Sequence, residues 1–288
     1  MTPKANGIGA AAAVVCLLTI ICSAGPAPPA RALATTAVEL ASHRAVYELT
    51  LAQAHGSSQT VSARGRILYD FAGSACEGYK LEFRQVSELD NGEGKVTLSD
   101  LRSNTWEDAE ANNYHFKSEN YLNNRLTDQV DGEAVRQAGD IQVSLTKPRQ
   151  TKISLDHAIV FPTEHVRRII DAARAGKTIL EFPVYDGSER GDKIYNTLTV
   201  IGRAIPGNER VPTDAAAGQQ ALAGMTRWPV TVSYFERNSG AGEQTPIYSI
   251  SFELYENGIS RALLLDYNDF AISGELTSLE IRDAKPCP

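Results

Sequence analysis

Cysteine is scarce in this chain of 288 residues, which contains only four, at positions 16, 22, 76 and 287. No Cys-x-x-Cys motif occurs, and no histidine neighbours Cys76 or Cys287. A thioredoxin-like redox motif or a zinc site built from closely spaced cysteines would need those features. Neither class of site has support in the sequence.

Long apolar runs are also lacking, apart from one near the N-terminus. Lys4 precedes an apolar run from Ile8 to Cys22, and a Pro/Ala-rich stretch then leads to Ala32-Leu33-Ala34. A positive start, a short apolar core and a small-x-small site form a cleavable export signal. We therefore predict that residues 1–34 are removed and that residues 35–288 form a single exported domain. That domain contains no segment long and apolar enough to suggest a transmembrane helix.

Positive charge is in short supply as well. The formal net charge is −7, and loss of residues 1–34, which contain two basic and no acidic residues, takes it to −9. No basic stripe is present. An acidic chain of this kind is a poor candidate for binding nucleic acid or an anionic membrane surface.

Recognisable catalytic and cofactor motifs are absent. The sequence has no His-Glu-x-x-His pair among its histidines, no Gly-x-Ser-x-Gly elbow and no glycine-rich phosphate loop. We therefore predict no catalytic residue, no bound metal and no cofactor. The histidines concerned, read as surface or partly buried residues, are His43, His55, His115, His157 and His165.

Two acidic segments could be mistaken for sites. Asp186, Ser188 and Asp192 supply oxygen atoms in a glycine-containing loop, but the register of a calcium loop and its closing glutamate are missing, so a hairpin connection is favoured. The segment Glu107-Asp108-Ala109-Glu110 is interpreted as a solvated polar turn. Catalytic carboxylates would need a cleft and a raised pKa, which sequence alone does not show.

The rest of the chain alternates apolar and polar residues with the period of a β-strand, as at Tyr79–Arg84. Asp131-Gly132 and Asn257-Gly258 are interpreted as tight turns. The pattern predicts a mostly β fold, an antiparallel meander of about a dozen strands. The other predicted strands are Ser42–Ala52, Val61–Phe71, Lys95–Trp106, Asn113–Glu119, Arg125–Val130, Ala134–Gln137, Ile141–Thr146, Thr178–Tyr185, Tyr195–Ala204, Arg227–Arg237, Tyr248–Leu254, Ile259–Tyr267 and Glu275–Arg282.

One amphipathic helix interrupts this pattern. Pro162-Thr163 opens it, Val166, Ile169, Ile170 and Ala173 share a face, and Gly176 can end it in a left-handed conformation. Its apolar stripe must be buried, most simply against the concave side of a large sheet that twists and curls. We predict a highly curved or barrel-like sheet around the helix, with a surface loop at Pro206–Gly224 that holds one helical turn around Gln219–Ala223.

Aromatic residues fall mostly in the predicted strands, where cross-strand packing in the core is their ordinary role. A groove or cavity lined by some of them is the alternative. The set comprises Tyr114, Phe116, Tyr121, Tyr234, Phe235, Tyr248, Phe252, Tyr255 and Tyr267.

After export, Cys76 and Cys287 are the two remaining thiols, and thiols in an oxidising compartment ordinarily pair. The bond would close a loop of about 210 residues, worth roughly 5 kcal/mol in the chain-entropy model. It would fasten the C-terminal tail to the early part of the sheet. A redox-active or metal-binding pair is the alternative.

Four segments resemble a known family of exported Gram-negative proteins: Leu40–Tyr47, Phe182–Ser188, Pro229–Tyr234 and Tyr255–Ile259. The family is the EipB-type cell envelope integrity proteins, and the similarity extends over nearly the whole predicted mature chain, from Val38 to Cys287. The resemblance implies a periplasmic protein with an open, spiral-like β-barrel, an embedded helix and a disulfide at Cys76 and Cys287. It implies a part in envelope maintenance and stress resistance, and it offers no catalytic residues.

Two functions are therefore open. The favoured one is a non-enzymatic periplasmic factor that binds an envelope protein, peptide or lipid on its curved sheet. The alternative is an envelope hydrolase that acts on peptidoglycan or lipid through carboxylates or a histidine in the concavity.

Overall fold

The alternating pattern of the sequence folds into a long series of antiparallel strands. The computed structural model describes residues 38–55, 60–214, 216, 220–237 and 244–283. Predicted features at residues 1–34 and at Cys287 lie outside them. Within the described residues, the strands are β1 (His43–Ala54), β2 (Ser62–Ser74), β3 (Gly78–Asp90), β4 (Val96–Glu107), β5 (Asn113–Leu122), β6 (Arg125–Arg136), β7 (Asp140–Lys147), β8 (Thr151–Asp156), β9 (Ile179–Val184), β10 (Tyr195–Ile201), β11 (Ile205–Gly207), β12 (Gly224–Glu236), β13 (Tyr248–Tyr255), β14 (Ser260–Asp266) and β15 (Phe270–Ile281).

All these strands belong to one sheet, with the order β8-β7-β6-β5-β4-β3-β2-β1-β15-β14-β13-β12-β10-β9, and β11 pairs with β12. Every named strand pair is antiparallel, and most join strands that are consecutive in the chain. The order ends at β8 on one side and β9 on the other, so the sheet does not close into a barrel. The predicted mostly β, open architecture is confirmed.

The helix α1 (Pro162–Arg174) joins the two edge strands and lies inside the curve of the sheet. Its buried Ile169 and Ile170 pack in one cluster with Phe71 of β2 and with Trp228 and Val230 of β12. Strands so far apart in the sheet can meet at one helix only if the sheet wraps around it. The prediction of an embedded amphipathic helix is confirmed.

The two ends of the sheet also approach each other. Val160, after β8, forms an isolated parallel bridge with Val184, and its N–H donates to the carbonyl of Pro183 at 2.9 Å. Tyr185 packs in a cluster with Phe116 of β5 and Phe161. The wrapped sheet is therefore a spiral whose two edges meet near the start of α1.

The ends of α1 follow the sequence signals. Pro162 occupies the first turn, where its missing N–H costs nothing. After Arg174, Gly176 has φ +71°, and the N–H of Lys177 donates to the carbonyl of Ala172 at 2.9 Å. The hairpin at Asn257-Gly258 is confirmed in the same way, because Gly258 has φ +87° and lies between β13 and β14.

The turn predicted at Asp131-Gly132 is wrong, because β6 continues through it from Arg125 to Arg136. The pairing of β6 with β7 shifts its register between these two residues. A Cβ atom at Gly132 would lie 2.8 Å from the carbonyl oxygen of Ser144 and 2.9 Å from the ring of Phe116. Glycine serves here for close strand approach at a bulge, not for a turn.

Three further segments differ from prediction. The edge strand β8 and the first residues of β15 lie outside the predicted strands. The segment Pro206–Gly224 holds the expected helical turn, as a 3₁₀ turn at Gln220–Leu222, but it is not only a surface loop. Ala216 and Leu222 are buried in the cluster that contains Tyr47 and Ile259.

Among the described residues, no helix is both long enough and apolar enough to cross a membrane.

Candidate functional site

Several side chains on the inner face of the curved sheet keep partial exposure to solvent. Residues opposite one another across an antiparallel pair share a face, so the row Tyr69, Phe83, Ser103 and Ser118 across β2 to β5 faces the same way. Tyr69 shares this face with Phe71, which packs near α1. All four side chains of the row keep partial solvent exposure, whereas Asn104, on the other face, is exposed. We call the space along this row the interior hollow.

Tyrosines from the other half of the sheet line the same hollow. Tyr234 of β12 and Tyr248 of β13 are opposite each other, and their rings stack with centroids 4.4 Å apart and 9° between the planes. Tyr195 meets Tyr234 edge to face at 6.1 Å, and Tyr267 stacks on Tyr248 at 6.4 Å. Their alignment follows from the register of the sheet, since facing residues on adjacent strands bring ring to ring.

This set of rings is not an ordinary sealed core. Tyr234 and Tyr248 are half-buried, and Tyr267 is 37 % exposed. Tyr267 also hydrogen-bonds to Gln85 on β3, in the other half of the sheet. The tyrosines therefore line the hollow at the end of the sheet where the β14–β15 hairpin turns. Of the aromatic residues, Tyr234, Tyr248 and Tyr267 are therefore not sealed in the core. Tyr114, Phe116 and Tyr255 are buried core residues.

The loop between β9 and β10 brings a carboxylate to these tyrosines. It confirms the predicted hairpin connection, since β9 ends at Val184 and β10 begins at Tyr195. Gly187 has φ +67°, and a Cβ atom there would lie 2.3 Å from the ring of Phe116. Only glycine lets the loop turn inward so closely, and this turn places Asp186 inside the spiral.

Hydrogen bonds fix the orientation of Asp186. The backbone N–H of Ser188 donates to its Oδ1 at 2.9 Å, and the hydroxyl of Tyr114 donates to its backbone carbonyl at 2.9 Å. The Tyr195 hydroxyl lies 3.4 Å from Oγ of Ser188 and donates to Glu189 at 2.9 Å. Asp186, Ser188 and the tyrosine hydroxyls thus form one polar group at the hollow.

Burial and mutual proximity shift the pKa values of these groups. Burial raises the pKa of Asp186, despite its hydrogen bonds to Ser188. Burial also raises the pKa of Tyr234 to about 12, and the nearby charge of Asp186 adds to this rise. The pKa of Tyr248 is raised well above its usual value, first by burial and then by Tyr234 and Asp186. The phenols are therefore neutral near pH 7 and available as hydrogen-bonding groups.

Glu107 has a structural task that the sequence interpretation missed. The expectation of a solvated turn is wrong for this residue, because Glu107 is 1 % exposed at the end of β4. Its two carboxylate oxygens accept the N–H groups of Thr163 and Glu164, at 2.8 and 2.7 Å, in the first turn of α1. Burial raises its pKa to about 7, against the opposing effect of these bonds and of Arg167. Glu107 thus caps the helix from a distant strand.

The histidines are dispersed. His43 is buried on β1, with its ring stacked on Tyr69 at 5.5 Å, and burial lowers its pKa. His165 is buried on α1 against Phe182, and burial lowers its pKa to about 4. Its Nε2 has no hydrogen-bond partner among the described residues. His115 is exposed on β5, and His55 and His157 lie in connecting segments.

Within the described ranges, no three His, Cys, Asp or Glu side chains come together as a group that could hold a metal ion. Asp186 and Asp192, which loosely suggested calcium, have separate partners. Asp192 is exposed and lies 4.0 Å from Arg190, whereas Asp186 lies at the hollow.

A second buried polar cluster fastens the segment before β12 to the sheet. Arg227 is 2 % exposed, donates to Glu253 at 2.6 Å, and donates to the carbonyl of Arg210 at 2.5 Å. Arg261 pairs with the same carboxylate at 2.5 Å and also with Asp214. The two guanidinium groups and two carboxylates compensate one another, which fits a structural role.

Cys76 lies in the turn between β2 and β3, as the sequence indicated. Cys287 is outside the described residues, so the pairing of the two stays a prediction.

Comparison with known proteins gives a consistent result. A family model described as EipB-like matches residues 34–283. The cell envelope integrity protein EipB of Brucella abortus (strain 2308) is 36% identical over 252 residues, which cover 88% of each chain. A crystal structure of a beta-barrel-like protein of unknown function from Brucella abortus matches with a TM-score of 0.78 and 36% identity. That match covers 86% of this chain and 100% of the other.

Proposed function

Because this chain belongs to the EipB-like family, we propose that it is a non-enzymatic periplasmic factor that supports envelope integrity by binding an envelope component inside its curved sheet. The name of the Brucella relative supports a role in cell envelope integrity. The component would be an envelope protein, peptide or lipid.

One observation supports the proposal: aromatic side chains on the inner face of the sheet keep partial exposure to solvent. Phe83, Tyr234 and Tyr248 face inward and keep partial contact with solvent. Protein interiors are normally close-packed, with few voids larger than a water molecule. A concave surface that presents aromatic rings and a few polar groups is the usual form of a ligand-binding site.

The test is to fill the hollow without changing the outer surface. Ser103→Trp places a large ring on the inner face of β4, and Asn104→Trp places the same ring on the outer face one residue later. Both proteins are first checked by circular dichroism and thermal unfolding. Each is then expressed in a strain that lacks the gene, and resistance to detergent and to a β-lactam is measured.

We expect Asn104→Trp to restore resistance and Ser103→Trp to fail, because only Ser103→Trp places its ring in the hollow. Equal restoration by both folded variants would contradict the proposed use of the interior. Unchanged resistance on deletion of the gene would contradict the role in envelope integrity itself.

We also propose that residues 1–34 are an export signal, that residues 35–288 act as one periplasmic domain, and that Cys76 pairs with Cys287. The pairing is supported by the position of the last described residues, which line the same pocket of about 300 Å³ as the turn that holds Cys76. Its lining includes Glu77 and Gly78 beside Cys76, together with Asp283. The described chain thus ends four residues before Cys287 and next to the turn that holds Cys76.

An envelope hydrolase is the second candidate, and Asp186 is the observation that favours it. A carboxyl group with a raised pKa beside a hollow has the property that a general acid needs. Turnover of isolated sacculi or phospholipids by the purified protein, with loss of turnover in Asp186→Asn, would establish this function. Absence of turnover by the folded protein would rule out the hydrolase function.

A further inference from the structure

Asp186 is a carboxylate without a cationic partner. In the part of the chain that the structure describes, no Lys, Arg or His nitrogen lies within 4.0 Å of it, although acidic side chains elsewhere at this end are paired. Lys193 contacts Glu236 at 3.0 Å and Glu189 at 3.7 Å, and Arg190 lies 4.0 Å from Asp192. A half-buried carboxylate left uncompensated costs free energy in the folded protein.

The side chains around Asp186 are uncharged hydroxyl groups, which can accept as well as donate hydrogen bonds, and aromatic rings. Ser188 and Tyr195 supply oxygen atoms, and Tyr234 and Tyr248 bring neutral phenols within electrostatic reach of the carboxylate. A primary ammonium group has three N–H donors and no acceptor. It is attracted both by a carboxylate and by tyrosine rings, so it fits this environment better than an anion or an acyl chain does.

We propose that the Asp186 cluster, defined as Asp186, Ser188, Tyr195, Tyr234 and Tyr248, is the subsite of the hollow that binds a primary ammonium group of the ligand. This inference rests on the proposed function, since it names the chemical group that the hollow would recognise. In the envelope, such a group can come from an ethanolamine lipid headgroup or from a free amino side chain of a peptide. The same cluster would bind either.

Two probe pairs distinguish these sources. The lipid pair is dihexanoyl-phosphatidylethanolamine and dihexanoyl-phosphatidylcholine, which keeps the positive charge but lacks N–H donors. The peptide pair is Nα-acetyl-lysine amide and its Nε-acetylated form, which lacks the charge. Binding to the mature protein is measured by isothermal titration calorimetry, with the lipids below their critical micelle concentration.

We expect at least one amine probe to bind. Its control should bind at least about tenfold more weakly, because it lacks the charge-assisted hydrogen bonds of the ammonium group. Asp186→Asn should weaken the amine by a similar factor. It keeps an oxygen that can accept the Ser188 N–H, so the loop should retain its shape. The matched control, Asp192→Asn, removes the same charge from an exposed position of the same loop and should bind like the wild type.

Tyr248→Phe provides a second variant, since it removes one hydroxyl and keeps the stacked ring. It should weaken the amine probe several-fold with little effect on thermal unfolding. The inference is overturned if neither amine binds, if amine and control bind equally, or if folded Asp186→Asn binds like the wild type. Its failure is distinct from that of the proposed function, which is decided by the Ser103→Trp and Asn104→Trp pair.

Discussion

The burial of Glu107 leads to a prediction about how the stability of the protein depends on pH. Its carboxylate is buried at the N-terminus of α1, and burial raises its pKa from 4.5 to about 7. At about 1.4 kcal/mol per pKa unit, this rise corresponds to roughly 3 kcal/mol. Two N–H bonds and Arg167 favour the charged form, but loss of hydration outweighs them.

The direction in which stability changes with pH follows from proton linkage. The folded state binds the proton of Glu107 more tightly than the unfolded chain does, so this contribution to stability is complete below pH 4.5. It is lost as the pH rises through about 7. Glu107→Gln carries no titrating proton. The difference in unfolding free energy, wild type minus Glu107→Gln, should therefore fall by about 3 kcal/mol between pH 4.5 and pH 7.5.

The assay is urea denaturation of both proteins at several pH values in this range, followed by tryptophan fluorescence. Glu110→Gln is the matched control, because Glu110 is exposed in the same segment and its removal should leave the pH dependence unchanged. A difference that stays constant, or that rises with pH, would refute the reasoning. It would mean that the helix N–H groups stabilise the charge more than burial opposes it.

Three other changes test separate parts of the account. Gly187→Ala should destabilise the protein at least twice as much as Gly176→Ala, for which the positive φ alone costs about 1 kcal/mol. A Cβ atom added at Gly176 would have no atom within 4 Å, whereas one added at Gly187 would lie 2.3 Å from the ring of Phe116. Thermal unfolding of both variants checks this, and equal losses would contradict the close approach. Arg227→Met should cost about 3 kcal/mol in chemical denaturation, because it leaves Glu253 with fewer partners in a buried cluster. A loss under 1 kcal/mol would count against that cluster as a structural fastening. Replacing either Cys76 or Cys287 by Ser should lower the melting temperature of the oxidised protein equally and make it insensitive to reductant, and a reductant-insensitive wild type would disprove the bond.

Local signals predicted much of the fold. The helix was predictable because its apolar face, Pro162 and Gly176 all lie within one segment. The strands were predictable where polar and apolar residues alternate, as in β3 and β13. The turn prediction at Asp131-Gly132 was wrong because the same dipeptide can form a turn or a bulge. Which of the two forms depends on how closely β7 approaches β6.

The site depended on contacts between distant residues, which no local pattern carries. Glu107 looked solvated because its partners, Thr163 and Glu164, are more than 50 residues away in the chain. Tyr114 of β5 reaches the backbone carbonyl of Asp186 only because the sheet wraps its two halves around α1. A glycine directly after an aspartate, as at Asp186-Gly187, is a weak signal that could have drawn attention to this loop.

We expect the interior hollow to hold a component of the envelope, and native mass spectrometry of the purified protein can detect it. The mature protein is purified under gentle conditions from the envelope fraction of its own host, alongside Ser103→Trp. We predict that the wild type carries a defined added mass and that the folded Ser103→Trp variant lacks it. A wild type that shows only the mass of its own polypeptide, or a variant that carries the same added mass, would contradict it.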